Sequence, residues 1–492
     1  MSEEVENQQN VKKGPIMVIM LSGAFIAILN ETLLNTALPI IKDTYGIEYN
    51  TVQWLTTAFL LTNGVMIPIS AFLIEKFSTR KLFLTAMSVF AIGTLVAAVS
   101  NTFPVLLTAR VIQAAGSGIM LPLMMNVFLA IFPSDKRGAA MGSAGMVIAF
   151  APAIGPTLSG WLIEHYSWRL LFYVVLPIAI IDIIAASFAL KNVTKLTNPK
   201  IDILSIILSS IGFGGLLYGF SKAGKSGWGE TEVLVTLIVG AIVLAVFIWR
   251  QLKMKHPMLE FRVLKYNTFT LAMVITMIVM MALLGAETLL PMYMQNMRGF
   301  TALESGLMLL PGAIVMGLMS PITGVLFDKI GAKILATSGL AIVAVMTFFF
   351  TDLTPSTSFT FLIIVYAIRM FGLALAMMPV MTAGLNQLPE KMHPHGTAVV
   401  NTMQQVAGSI GTAVLITFMT NSAESRREEL TIPKGTSPAE AKEMMANTMI
   451  HGMNVAFMIA AGLAAAGVIL AFFIKTPKKT GDGETITSEG NA

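Results

Sequence analysis

Apolar runs of about twenty residues follow one another along almost the whole 492-residue chain, and nothing else in the sequence restricts its fold so severely. A helix of about 20 apolar residues crosses the hydrocarbon core of a bilayer. Lipid cannot satisfy bare backbone groups, so runs of this length are read as membrane-spanning helices. Charge points the same way. A soluble domain carries about 25% charged residues, whereas this chain has 12%, with 55% hydrophobic residues. Most of its surface must therefore face something other than water.

The runs fall at roughly 15–39, 51–74, 81–100, 104–131, 138–162, 169–190, 202–221, 231–250, 268–292, 304–327, 334–352, 358–385, 396–419 and 452–475. The first is too long for a cleaved signal core and lacks a clear cleavage site, so it is read as a retained span. With the N-terminus placed in the cytoplasm, inside segments hold 21 Lys and Arg and outside segments 9. That bias obeys the positive-inside rule and sets both termini in the cytoplasm of a multi-pass cell-membrane protein. The net charge of +5 then reports orientation and gives no reason to expect a nucleic-acid partner.

Several chemistries are excluded or disfavoured. With no cysteine, the chain has no disulfide and no thiolate metal site. Its five His show no metal-ligand spacing, and there is no phosphate-binding glycine loop. No nucleophile–base–orienter set suggests an enzyme. The His393-Pro394-His395 stretch reads as a solvated cytoplasmic turn. No cofactor is expected.

The chain also repeats itself. Glu31-Thr32-Leu33-Leu34 recurs as Glu287-Thr288-Leu289-Leu290, residues 68–81 echo 321–334, and Phe132-Pro133 before Gly138 echoes Leu388-Pro389 before Gly396. The offsets are all 253 to 258. The expected organisation is a tail (1–14), a six-helix bundle (15–190), a linker with two extra spans (191–267), a second six-helix bundle (268–475, with an outer loop 420–451) and a tail (476–492). Two like-facing bundles with a site between them near mid-membrane are the architecture of alternating-access carriers.

Three acids fall inside spans: Glu31, Asp182 and Glu287. At 1.5 Å per residue, Glu31 and Glu287 lie roughly 24–30 Å from the cytoplasmic ends of their spans, and Asp182 about 20 Å from the outer end of its own. A carboxylate in an apolar interior favours its neutral form. It can then hold either a proton or a cationic substrate, and that exclusion couples two fluxes. Asn35, Asn63, Gln113, Asn126, Asn401 and Gln404 are either polar contacts of a cavity or interhelical hydrogen bonds. Met124 and Met378, from clusters in the fourth and twelfth spans, either line an adaptable cavity, face lipid or pack the core.

These residues sit in motifs that resemble a known family. Leu29-Asn30-Glu31-Thr32-Leu33-Leu34-Asn35-Thr36-Ala37-Leu38-Pro39 is similar to L-D-x-T-I-V-N-V-A-L-P of the fourteen-span drug:proton antiporters of the major facilitator superfamily, the EmrB/QacA group and its lincomycin-resistance branch. Here the acid stands one residue further on, at Glu31. Glu75, Lys76 and Arg80 form a degenerate copy of that family's loop motif G-x-L-x-D-R-x-G-R-K. Asp328, Lys329 and Gly331 form a closer one. Each is either a charge clasp that opens and closes or a tight solvated turn. Arg110 and Gln113 match R-x-x-Q-G-x-G-x-G, and the resemblance implies a role in proton coupling for Arg110. Gly155, Pro156 and Gly160 match the antiporter motif G-P-x-x-G-G, which implies export.

The resemblance covers essentially the whole chain. It implies an all-α major facilitator fold with fourteen transmembrane helices, and proton-driven efflux of amphipathic or cationic compounds. The expected partners are the lipid bilayer, a small-molecule substrate and protons, with the chain acting as a monomer. The alternatives are export of one endogenous metabolite, lipid or signalling molecule on the same fold, uptake by symport, or a non-transporting sensor.

Overall fold

The structure is a computed structural model that describes residues 12–194, 196–197, 199–428 and 438–474. Among these residues there are fourteen helices long and apolar enough to cross a membrane. They are labelled α1 (Lys13–Tyr45), α2 (Trp54–Lys76), α3 (Thr79–Ala98), α4 (Phe103–Ile131), α5 (Arg137–His165), α6 (Leu170–Ala189) and α7 (Ile203–Gly224). The remainder are α8 (Thr231–Lys253), α9 (Asn267–Met297), α10 (Leu303–Ile330), α11 (Ala332–Asp352), α12 (Phe359–Leu385), α13 (Glu390–Glu428) and α14 (Met444–Ala471). The expected tails lie almost wholly outside the described residues.

The spans were legible in number, but several ends move. α1 runs on to Tyr45, α13 reaches from Glu390 to Glu428, and the last helix winds from Pro438 and stops at Ala471. Most of the expected outer loop 420–451 is therefore helix, with residues 429–437 outside the described residues. Hydropathy marks where an apolar run ends. A helix continues past that point wherever its backbone remains internally bonded.

Local chemistry sets many ends. The Ser78 hydroxyl accepts the Lys81 N–H at the start of α3, and Thr301 and Glu304 form a reciprocal capping box at the start of α10. Gly46 at φ 63° closes α1, and Gly331 at φ 81° makes the turn between α10 and α11. Both α1 and α9 lose regular helix just past their acids. In α1 a 3₁₀ turn covers Asn35–Ala37, and in α9 a π turn covers Tyr293–Met297 after Pro291. Proline removes a backbone donor and breaks the ladder, and Pro39 and Pro291 stand beside these irregular turns.

Within the first six spans α3 packs on α4 and α6, α2 on α4, and α1 on α5 and α6. Within the last six, α11 packs on α12 and α14, α10 on α12, and α13 on α9 and α14. The two sets meet along two seams, α5 against α10 and α2 against α13. The inserted α7 and α8 pack on each other, and α7 also rests on both α2 and α13, so the insertion covers one seam only. There Leu217 fills the space over Gly64, Gly224 approaches Ala413, and Trp228 Nε1 donates to Thr417 Oγ1 at 2.7 Å. Trp168 is buried edge-on against Tyr45 and Phe172.

Candidate functional site

Glu31 sits near the middle of α1, between Asn30, which is buried, and Asn35, which is exposed beside the helix break. It is half-buried. Asn63 of α2 donates to its Oε2 at 3.4 Å, so the carboxylate points into the bundle. Behind it lies Arg110 of α4, fully buried and within electrostatic reach. Arg110 donates to Gln113 Oε1 at 3.0 Å and to the carbonyls of Asn30 and Leu55, each at 3.4 Å. Its guanidinium stacks 4.1 Å from the Phe59 ring centroid. Gln113 in turn donates to Thr94 Oγ1 at 2.8 Å and to Asn30 Oδ1 at 3.5 Å. An Arg at mid-helix costs about 2.5–3.5 kcal/mol on insertion scales; here carbonyls, a glutamine and an aromatic face offset it. Nη2 of Arg110 and Nδ2 of Asn30 have no partner among the described residues.

The antiporter-like motif of α5 packs on α1 next to Glu31. A Cβ on Gly155 would fall on Thr32 Oγ1, and Thr36 Oγ1 bonds Ser159 Oγ. Gly155 thus lets α5 touch α1 one residue beyond Glu31, while Gly160 has open space around it. Pro156 sits within the continuous helix. Thr56 donates to Asn35 Oδ1 at 3.1 Å, closing the site toward α2.

Glu287 occupies the corresponding place in α9 and is likewise half-buried. Sequence reading assigned no role to its neighbour Arg369 of α12, fully buried and within electrostatic reach of it. The signal was present: a second intramembrane Arg, 259 residues after Arg110, close to the repeat offset. Asp182 is not part of either cluster. It is buried on α6 against α1, where its Oδ2 faces Gly23 beside Phe83, with no hydrogen-bond partner among the described residues.

The other cavity candidates are packed between the bundles, on the half nearer the face where α1 begins. Here that face is called the basic face. Asn126, Met124, Met378, Asn401 and Gln404 are all buried. Asn401 Nδ2 bonds the Thr397 carbonyl at 2.8 Å and Met125 Sδ of the other bundle at 3.4 Å. Gln404 Nε2 lies 3.9 Å from Met381 Sδ, and Met378 reaches across to Gly145. In this state they plug the space beneath the acids. A sequence cannot say which side of the cycle a structure will capture.

The plug ends in two clasps at the basic face. On one seam Gly138 and Gly324 touch backbone to backbone, and Asp328 accepts the N–H groups of Gly138 at 3.0 Å and Ala139 at 3.2 Å. Arg137 adds a bond to Asn386 Oδ1 at 3.0 Å. Gly331 turns the chain after this clasp, and the Lys329 side chain is exposed. On the other seam Glu75 Oε1 lies 3.2 Å from His395 Nε2, both side chains being largely buried. Lys76 lies over Phe72, and Arg80 bonds the Ser187 carbonyl. His393 and His395 are therefore not in a solvated turn. Both are buried under the neighbouring helices, and His393 Nε2 lies 3.1 Å from the Leu388 carbonyl.

Comparison with known proteins places this geometry. Residues 20–412 match the family profile described as Major Facilitator Superfamily. The chain is 53% identical, over 96% of its length and 97% of the relative's, to the "Uncharacterized MFS-type transporter YcnB" of Bacillus subtilis (strain 168). It is 44% identical, over 97% of its length and all of the relative's (100%), to "Lincomycin resistance protein LmrB" of Listeria monocytogenes serovar 1/2a. The fold is shared with the human organic anion transporter MFSD10 (TETRAN), with a TM-score of 0.66 at 13% identity, covering 94% of this chain and 99% of that one.

Proposed function

The chain belongs to the Major Facilitator Superfamily, and from that premise we propose that it exports amphipathic or cationic compounds in exchange for protons. The supporting observation is the Glu31 cluster: a half-buried carboxylate at mid-helix, held by Asn63 and backed by a buried arginine. A proton and a cationic cargo compete for that carboxylate, so one enters as the other leaves. The membrane potential adds about 2.3 kcal/mol per elementary charge for each 100 mV.

In this reading the basic face lies in the cytoplasm, as the excess of Lys and Arg on that side favours. The plug and both clasps then seal the cytoplasmic side, and the half-buried Glu31 and Glu287 exchange with the outside. Reopening requires both clasps to part, and Gly155 with Pro156 gives α5 room to move against α1. The relative named for lincomycin resistance makes antibiotic-like compounds the first cargo to assay. The chain works as a monomer in the cell membrane and draws only on the proton gradient.

Efflux from proteoliposomes with an imposed pH gradient tests the proposal. Glu31→Gln should insert and express normally yet lose gradient-driven efflux of ethidium or lincomycin by at least tenfold. Full gradient-driven efflux in that variant would remove Glu31 from the mechanism.

A further inference from the structure

The C-terminal half holds a buried arginine, Arg369, with one guanidinium nitrogen unpartnered among the described residues. Arg369 Nε donates to Thr347 Oγ1 of α11 at 3.1 Å, and Nη2 donates to the Ala282 carbonyl of α9 at 2.6 Å. Nη1 is buried with no acceptor among the described residues. A guanidinium keeps its charge and five donors under all ordinary conditions. Deep in a helical bundle such a group calls for a carboxylate or water. The titratable neighbours acting on Arg369 are Tyr366 of its own helix and Glu287 of α9. Of these only Glu287 is a carboxylate. It stands within electrostatic reach of Arg369, with no ion pair between them among the described residues.

The two halves match in layout. Thr94 of α3 anchors the Arg110 layer through Gln113, and Thr347 of α11, 253 residues later, anchors Arg369 directly. In each half one guanidinium nitrogen is left over: Nη2 of Arg110 and Nη1 of Arg369. Tyr366, one turn before Arg369 and on the same helix face, lies against Gly312 of α10. A Cβ there would meet its Cε1 at 2.6 Å. The second cluster is thereby in touch with the helix that forms the α5–α10 seam.

We infer that Glu287 is a second proton-exchanging carboxylate and that Arg369 positions it, the unpartnered Nη1 being where the carboxylate docks once its proton has left. The proton passes to water in the opening beside the half-buried Glu287, and the carboxylate turns to Nη1. Return of a proton releases it. No other bond changes. This inference rests on the exchange reading above and adds a second proton to each cycle.

The test counts protons released to weakly buffered solution when ethidium binds the purified full-length chain, across the neutral pH range. The wild type should release two per ethidium and Glu287→Gln one. Arg369→Lys should keep two. Arg369→Gln should release the second proton only at higher pH, because the docking cation is gone. The double variant with Glu287→Gln should match Glu287→Gln alone. If Arg369→Gln does not insert, Thr347→Val, which removes only the Nε anchor, should move the pH profile in the same direction. An unchanged profile in both Arg369→Gln and Thr347→Val, or in Thr347→Val alone where Arg369→Gln does not insert, overturns the inference. So does Glu287→Gln with a wild-type proton count, or an equal loss from Arg369→Gln in the Glu287→Gln background. A wild type that releases one proton, lost in Glu31→Gln, overturns the second site and leaves the exchange reading standing. A wild type that releases none overturns both.

Discussion

The two clasps at the basic face start from equivalent acids and end in different chemistry. Asp328 and Glu75 are 253 residues apart in the repeat, each near the basic-face end of the helix that reaches it. Asp328 binds two peptide N–H groups at the start of α5, where the orphan donors and the dipole of a long helix favour negative charge. Its hold requires a glycine pair, because Gly138 and Gly324 bring the two backbones together. Glu75 binds an imidazole instead. His395 Nδ1 accepts the Glu260 N–H at 3.3 Å, which leaves Nε2 as the donor to Glu75. Thr197 N donates to the Glu75 carbonyl at 3.1 Å. The segments that flank the inserted pair thus grip both members of the second clasp. One seam closes by backbone fit and the other by side chains braced by an insertion.

The comparison breaks most readily at the glycine pair. Gly324→Val sets a branched side chain on the Gly138 carbonyl. Overpacking of this kind costs about 1–3 kcal/mol, which shifts the closed population by roughly 5- to 150-fold. Single cysteines placed at the plug, clean reporters in a chain with no native cysteine, should become alkylated from the basic face. The residue equivalent to Gly324 in the repeat is Ala71, which already carries a Cβ, so Ala71→Val should open the second seam far less.

Next come the acids. Asp328→Asn keeps an acceptor but loses the charge on two peptide donors. Charged hydrogen bonds contribute about 1.5–3 kcal/mol, so alkylation should rise about tenfold. Glu75→Gln still accepts from the His395 Nε2–H, and the expected change is about threefold or less. Equal effects of the two substitutions would erase the distinction between the clasps.

The smallest effect lies in the inserted pair. Asp202 accepts from Arg250 Nη2 at 2.9 Å and from Ser205 Oγ at 2.6 Å, tying α7 to α8. Burial raises its carboxyl's pKa, but the bonds from Ser205 and Arg250 outweigh that and hold it below the usual carboxylate range. A lowered folded value means the contribution is complete above the unfolded pKa, about 3.9, and fades as pH falls through the folded one. Hydrogen-exchange protection factors at the basic-face end of the α7–α8 pair should therefore stay constant from neutral pH down to that range and fall below it. Asp202→Asn should show the reduced protection already at neutral pH.

How much of this could be read from residues alone follows from what each signal encodes. Apolar length fixes the spans, and the repeat fixes which residues correspond, so Glu31, Glu287, Glu75 and Asp328 were found as equivalent pairs. Depth along a helix could be counted, but facing could not. Asp182 was located by depth, yet it turns toward α1 at Gly23, apart from the Glu31 cluster. Asn126, Asn401 and Gln404 are polar enough for a cavity and are packed shut here, because their exposure depends on which face is closed. His395 was read as solvated because His-Pro-His is polar and turn-like. Its burial comes from α2 and from the 254–266 segment, which local sequence does not reveal. Arg369 was visible as an intramembrane charge, and only contact with Thr347 and Ala282 gives it a place.

The central claim is that a proton and a cation are alternative occupants of Glu31. The most direct measurement is the affinity of the purified chain for ethidium as pH is lowered through the neutral range. The account predicts affinity that falls as protons compete, and a Glu31→Gln variant in which the largest part of that dependence is gone. Affinity that is flat with pH in the wild type, or a dependence that survives intact in Glu31→Gln, would contradict it.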